Sequence, residues 1–173
     1  MMFAWLPAII TAQSTPFTSL FDRYSGDTGF ETTEILPNNT SFEWEKEMDS
    51  SHVKDMMKGI DKISILKYKS ESDKDLREKL WKNMQKAASD EVYTELVNVS
   101  AEDMLVRIYM IKGLEGITRE VALAMNDKDV IMLVIMTGNM DFSSMFSHEN
   151  MKGLCEMGEY FMQHKGSCDH QEE

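Results

Sequence analysis

The sequence predicts an α+β protein: a single domain with an antiparallel-rich sheet packed by helices and an extra C-terminal helix. Three observations carry that expectation. Segments of period-two or continuous apolar character recur between turn residues, as strands do. Two further segments carry apolar residues at helical spacing behind good capping residues. The 173 residues, 42% hydrophobic and 28% charged, suit one globular core.

The elements follow in chain order. Thr15 is a good N-cap and Pro16 suits the first helical position. Phe17, Leu20, Phe21 and Tyr24 then form one apolar stripe. Gly26 stands where the residue after a helix needs a left-handed conformation, and Gly29 closes the turn into a strand over 30–36. The polar, acidic stretch 37–50 reads as an insertion or a frayed helix, with a short helix near 51–58 ending at Gly59. The β-branched residues of 60–69 predict a strand. Ser72 is expected to cap an amphipathic helix to Ala88, with Leu76, Leu80, Trp81 and Met84 on one face.

Strands dominate after that helix. They are expected over 91–99 and 104–112, with Val106, Ile108 and Met110 on one face of the second and Arg107 and Tyr109 on the other. The segment "ITREVALAMND" fits both periods. Its place between two strands with short connections makes it a strand. "VIMLVIMT", residues 130–137, is continuously apolar and should be a central strand buried on both faces. Asp141 is expected to cap a helical turn through Phe146, and a last helix to run over 149–165 before a loose acidic tail.

Residues 1–12, "MMFAWLPAIITA", are too short to span a bilayer and suit the apolar region of a secretory signal, with cleavage expected between Ala12 and Gln13. No Lys or Arg precedes Arg23, so the run lacks a basic flank. The organisation expected is therefore 1–12 signal-like, 13–147 an α+β domain, and 148–173 a C-terminal helix and tail. The net charge of −12 argues against nucleic acid and against docking on an anionic membrane surface.

The run "LFDRYSGDTGFETTEI", then "ISILKYKS", the amphipathic helix, "VRIYMIKG" and "IMLVIMTGNMDFSSM" resembles one family in the same order. That family is the domain-of-unknown-function family 4252, small exported proteins of Gram-negative bacteria. Phe21, Tyr24, Gly29–Phe30, Gly138 and Asp141 are the most specific points. The resemblance implies an exported α+β protein and brings no catalytic residues. The stretch 38–49 and the tail after Ser147 depart from it.

Reactive motifs are scarce. "HENMK" at 148–152 begins like a zinc-protease helix, but Lys152 stands where the second histidine ligand belongs. No catalytic serine elbow, phosphate loop, dinucleotide fingerprint or C-x-x-C occurs. Cys155, His164, Cys168 and His170 are candidate metal ligands by residue type. On a helix, however, Cys155 and His164 fall on opposite faces. Cys155 and Cys168 are a disulfide candidate. A helix from Cys155 to His164 advances about 13 Å, and the residues to Cys168 extend back about 13–14 Å. Free thiols remain a third possibility. The 16 methionines read as flexible core filler at periodic positions such as Met84, Met110, Met132 and Met136.

The function expected is that of an exported, non-enzymatic binding protein of the cell envelope. Its partner would be another envelope protein, with no cofactor, nucleic acid or stable membrane anchor. The alternatives are an enzyme with a carboxylate-based site, or a metal or redox responder using the Cys/His tail.

Overall fold

A computed structural model describes residues 14–37, 57, 59–69, 73–101 and 103–141. The signal-like run, the insertion after Pro37, the expected last helix and the Cys/His tail lie outside them. The described elements are α1 (Pro16–Tyr24), β1 (Phe30–Ile35), β2 (Ile60–Lys69), α2 (Lys74–Ala88), β3 (Thr94–Ala101), β4 (Met104–Lys112), β5 (Ile117–Asp127) and β6 (Val130–Asp141). The strands form one sheet in the order β1-β2-β6-β5-β4-β3, with every neighbouring pair antiparallel. An α+β fold is what the sequence predicts. The extra C-terminal helix falls outside the described residues.

α1 forms for the reasons its sequence suggests. The Thr15 hydroxyl accepts the Thr18 N–H at 3.2 Å, and Phe17, Leu20, Phe21 and Tyr24 are all buried. Its end differs from expectation. Ser25 closes the helix in a right-handed conformation by donating its N–H to the Phe21 carbonyl. Successive turns at Asp27 and Phe30 follow, and Gly29, at φ +93°, is the left-handed residue. Moving the reversal to Gly29 stacks Phe30 between Tyr24 and Tyr68, with ring centres 4.9 and 5.0 Å away.

α2 is capped one residue later than expected. The Asp73 carboxylate accepts the N–H groups of Asp75 and Leu76, both at 3.0 Å. β3 starts at Thr94 rather than near Glu91 because Asp90 folds the approach into a turn. Its side chain accepts the Val92 N–H and its carbonyl accepts the Tyr93 N–H. Asp141 is the last residue of β6, and the helical turn expected after it lies outside the described residues.

Both faces of the sheet are buried. On one, α1 and α2 lay Phe17, Leu20, Phe21, Leu80 and Met84 on Leu66, Tyr109, Ile131, Leu133 and Ile135. Ala122 and Ala124 on β5 share that face, and their small side chains leave room beneath the helices. The other face gathers Ile63, Ile65, Ile108, Val121 and Val134 with Met110, Met125, Met132, Met136 and Met140. Methionine therefore serves as core filler here, as expected. The run 131–136 on β6 is buried without interruption, at the third position in the sheet. Such a strand cannot alternate, because neither face meets water.

Candidate functional site

The end of the sheet where β4 turns into β5 combines a strained backbone, an exposed apolar side chain and a buried carboxyl. A 3₁₀ turn, Leu114–Gly116, makes the connection, closed by the Gly113 N–H donating to the Ile117 carbonyl at 2.6 Å. Glu115 takes φ 58°, the left-handed region that a non-glycine residue enters at a cost of about 1–2 kcal/mol. That backbone holds Leu114 81% exposed, with Ile117 also exposed beside it. Strain and an apolar side chain in water thus coincide in one short turn.

Just inside β5 the pairing register breaks between Thr118 and Glu120 on both sides of the strand. Thr118 donates its hydroxyl to the Met110 sulfur on the methionine-rich face. Glu120 instead joins Ala122 and Ala124 on the helix-covered face. It lies opposite Ile111 on β4 and Thr137 on β6 and is only 1% exposed.

A carboxyl buried so deeply needs donors. The Thr15 hydroxyl donates to its Oε2 at 2.6 Å, and the Tyr93 hydroxyl donates to its Oε1 at 2.5 Å. The Tyr93 oxygen also accepts the Phe17 N–H at 3.3 Å. One threonine therefore caps α1 and holds Glu120 at once, while Tyr93 ties the approach to β3 to the same carboxyl. Burial pushes the Glu120 carboxyl above the usual carboxylate range, and the Thr15, Tyr93 and Thr18 hydroxyls pull it partly back. No cation contributes to that balance. Burial, with Glu120 beside it, also raises the Tyr93 phenol.

A buried carboxyl between a phenol and an alcohol has parts useful for proton transfer. Here it is closed over by α1, so its geometry is that of a fastening. It joins α1, β5 and the start of β3 at one point.

The residues singled out in the sequence are placed differently. Cys155, His164, Cys168, His170, His148 and Lys152 lie outside the described residues. Arg107 and Tyr109 share the second face of β4, and Tyr109 is buried there, its ring 5.6 Å from that of Phe17. Arg107 is half-buried next to it, its Nε buried without an acceptor among the described residues. Tyr109 is buried because Phe17, at the start of α1, packs its ring on it. Glu120 was not singled out in the sequence, although its period-two match with Ala122 and Ala124 was a signal. A carboxylate in phase with small apolar residues marks a helix-covered strand only once both faces are known to be buried.

Most of the residues that carry the family resemblance have structural roles. Phe21 and Tyr24 are core, Gly29 makes the reversal, and Gly138 lies against the backbone of Gly59. A family model described as a domain of unknown function (DUF4252) matches residues 24–146. The chain belongs to that family. No curated protein matches it. A similar solved structure is that of Protein of Unknown Function PA94 from Pseudomonas aeruginosa, at 7% identity and a TM-score of 0.35, covering 80% of this chain and 82% of that one.

Proposed function

We propose that the chain is an exported, non-enzymatic binding protein of the cell envelope, and that it holds another envelope protein through the β4–β5 turn. The observation that carries this reading is Leu114, 81% exposed on a turn whose next residue sits at φ 58°. A turn needs neither cost for closure alone, since an Asn-Gly pair would make it without strain. A leucine held in water by strained backbone is suited to being buried by a partner. The Glu120 fastening supports the turn from behind by fixing the start of β5.

The test is site-specific cross-linking from Leu114 in the native host, with the captured protein identified by mass spectrometry. Its capture should be lost in a Leu114→Asp variant cross-linked from Ile117. Equal capture with Leu114→Asp would overturn the role of the turn. Export is tested separately: the mature terminus should lie near Ala12–Gln13, and an intact cytosolic N-terminus would refute it. Export also places Cys155 and Cys168 in an oxidising compartment, where a disulfide between them is expected. Two reactive thiols in denatured, unreduced mature protein would exclude that bond.

The enzyme alternative would turn to Glu120 as its carboxylate. Its closure beneath α1 favours the holding role.

A further inference from the structure

The two edges of the sheet are unlike. On β1, Glu31 and Glu34 are exposed and ion-paired with Lys69 and Lys62 at 2.5 and 2.8 Å. Charges along an edge oppose the addition of another strand. β3 has no such guard over its regular part. After the register break between Glu95 and Val97, the strand continues through Ala101 without a charged residue or a proline. Among the described residues its outer side pairs with no strand. Val99 on it is 48% exposed.

The sequence of that stretch reads the same in both directions about Asn98: Val97, Asn98, Val99. We infer that β3 pairs with β3 of a second copy, antiparallel, about a two-fold axis that passes between the two Asn98 residues, perpendicular to the sheet.

Such an axis sets Val97 of each copy opposite Val99 of the other, and Asn98 opposite Asn98. It also keeps each face of the sheet on its own side. Val97 and Val99 are in register with Ile108 and Val106, on the methionine-rich face. The four valines of a pair therefore meet on one face and cover the exposed Val99 side chains. Cross-strand pairs of β-branched residues are favourable contacts of this kind. The interface is isologous, so one self-complementary strand completes it and closes the assembly at two copies. Leu96 falls opposite Ser100, so no carboxylates face each other within the regular stretch. The opposing force is the −12 charge on each chain. Salt screens it beyond about 8 Å at physiological ionic strength, so association should strengthen as salt is added. This inference is independent of the role assigned to Leu114.

The test uses the full mature chain. Sedimentation equilibrium should show a dimer at concentrations up to about 100 μM, tighter at higher salt, and weakened at least about tenfold by Val99→Lys, which places a charged edge residue beside the axis. In a Cys155→Ser/Cys168→Ser background, Asn98→Cys should form a disulfide-linked dimer on mild oxidation. Opposed residues in an antiparallel pair have Cα separations of about 4.5–5.5 Å, within the range a disulfide spans. Thr33→Cys on the other edge should not cross-link. A monomer throughout that range overturns the inference. So does a dimer that is indifferent to Val99→Lys and leaves Asn98→Cys uncross-linked, because it must use another surface. Both valine and asparagine positions tested are solvent-facing, and a thermal melt of each variant matching wild type excludes unfolding as the cause.

Discussion

Gly138 and Gly59 approach so closely across β2 and β6 that a β-carbon on Gly138 would stand 2.0 Å from the Gly59 carbonyl oxygen. The contact is backbone on backbone. Gly59 is at φ +83°, its carbonyl accepts the Asn139 N–H at 2.8 Å, and the β2 register breaks immediately after, between Ile60 and Lys62. Neither strand can yield without giving up ladder bonds.

Gly138→Ala should therefore destabilise the protein by about 3 kcal/mol or more, or prevent folding. Gly26→Ala is the matched control. Nothing lies within 4 Å of a β-carbon there and its φ is not positive, so its melting temperature should stay near wild type. A melt in which Gly26→Ala is the more damaging change would show that the helix terminates at Gly26 after all.

Glu120 links stability to pH. Its carboxyl keeps its proton to higher pH in the folded protein than in the unfolded chain, with burial as the larger cause. The stability it contributes is complete below the unfolded-chain pKa and is lost as pH rises through the folded-state pKa. Glu120→Gln removes that loss. Measured against wild type, the variant should become relatively more stable as pH rises from the ordinary carboxylate range toward and past neutrality. A stability difference that does not change over that range would mean the carboxyl is not raised in the folded state.

Thr15 should show two roles in one side chain. Thr15→Ala loses the cap of α1, worth about 1 kcal/mol. It also deprives the buried Glu120 of a donor, worth about a further 1–3 kcal/mol. Thr15→Ser should recover most of both. Combined with Glu120→Gln, the Thr15→Ala effect should be smaller than alone, because the two residues are partners. Additive effects in chemical denaturation would separate Thr15 from Glu120.

Phe17 is fully buried, with its ring 4.9 Å from that of Tyr93 and 5.6 Å from that of Tyr109. Phe17→Ala should cost about 3–5 kcal/mol. Exposed Val92 nearby in sequence to Tyr93 should tolerate alanine within about 0.5 kcal/mol. Hydrogen exchange should locate the Phe17→Ala loss in α1 first, and uniform loss across the sheet would count against α1 as a separately fastened element.

The amino-acid sequence by itself determined the elements whose causes are local. The stripe Phe17, Leu20, Phe21, Tyr24 behind Thr15 makes α1, and the unbroken apolar run 131–136 makes a central strand, because spacing along the chain sets which side chains share a face. It also placed β2 and β4 with their bounds, and the strand nature of the ambiguous 117–127. Tertiary structure decided what depends on residues far apart. The reversal fell at Gly29 rather than Gly26 because Phe30 found Tyr24 and Tyr68 to stack on. Tyr109 was buried because Phe17 and Tyr93 packed on it, and Gly138 became indispensable because β2 paired beside β6. Glu120 is the clearest case. Its donor Thr15 lies 105 positions away, and only the docking of α1 brings the hydroxyl to the carboxyl. Local periodicity records which face a residue occupies, while what covers that face is settled by contacts that no short stretch of chain contains.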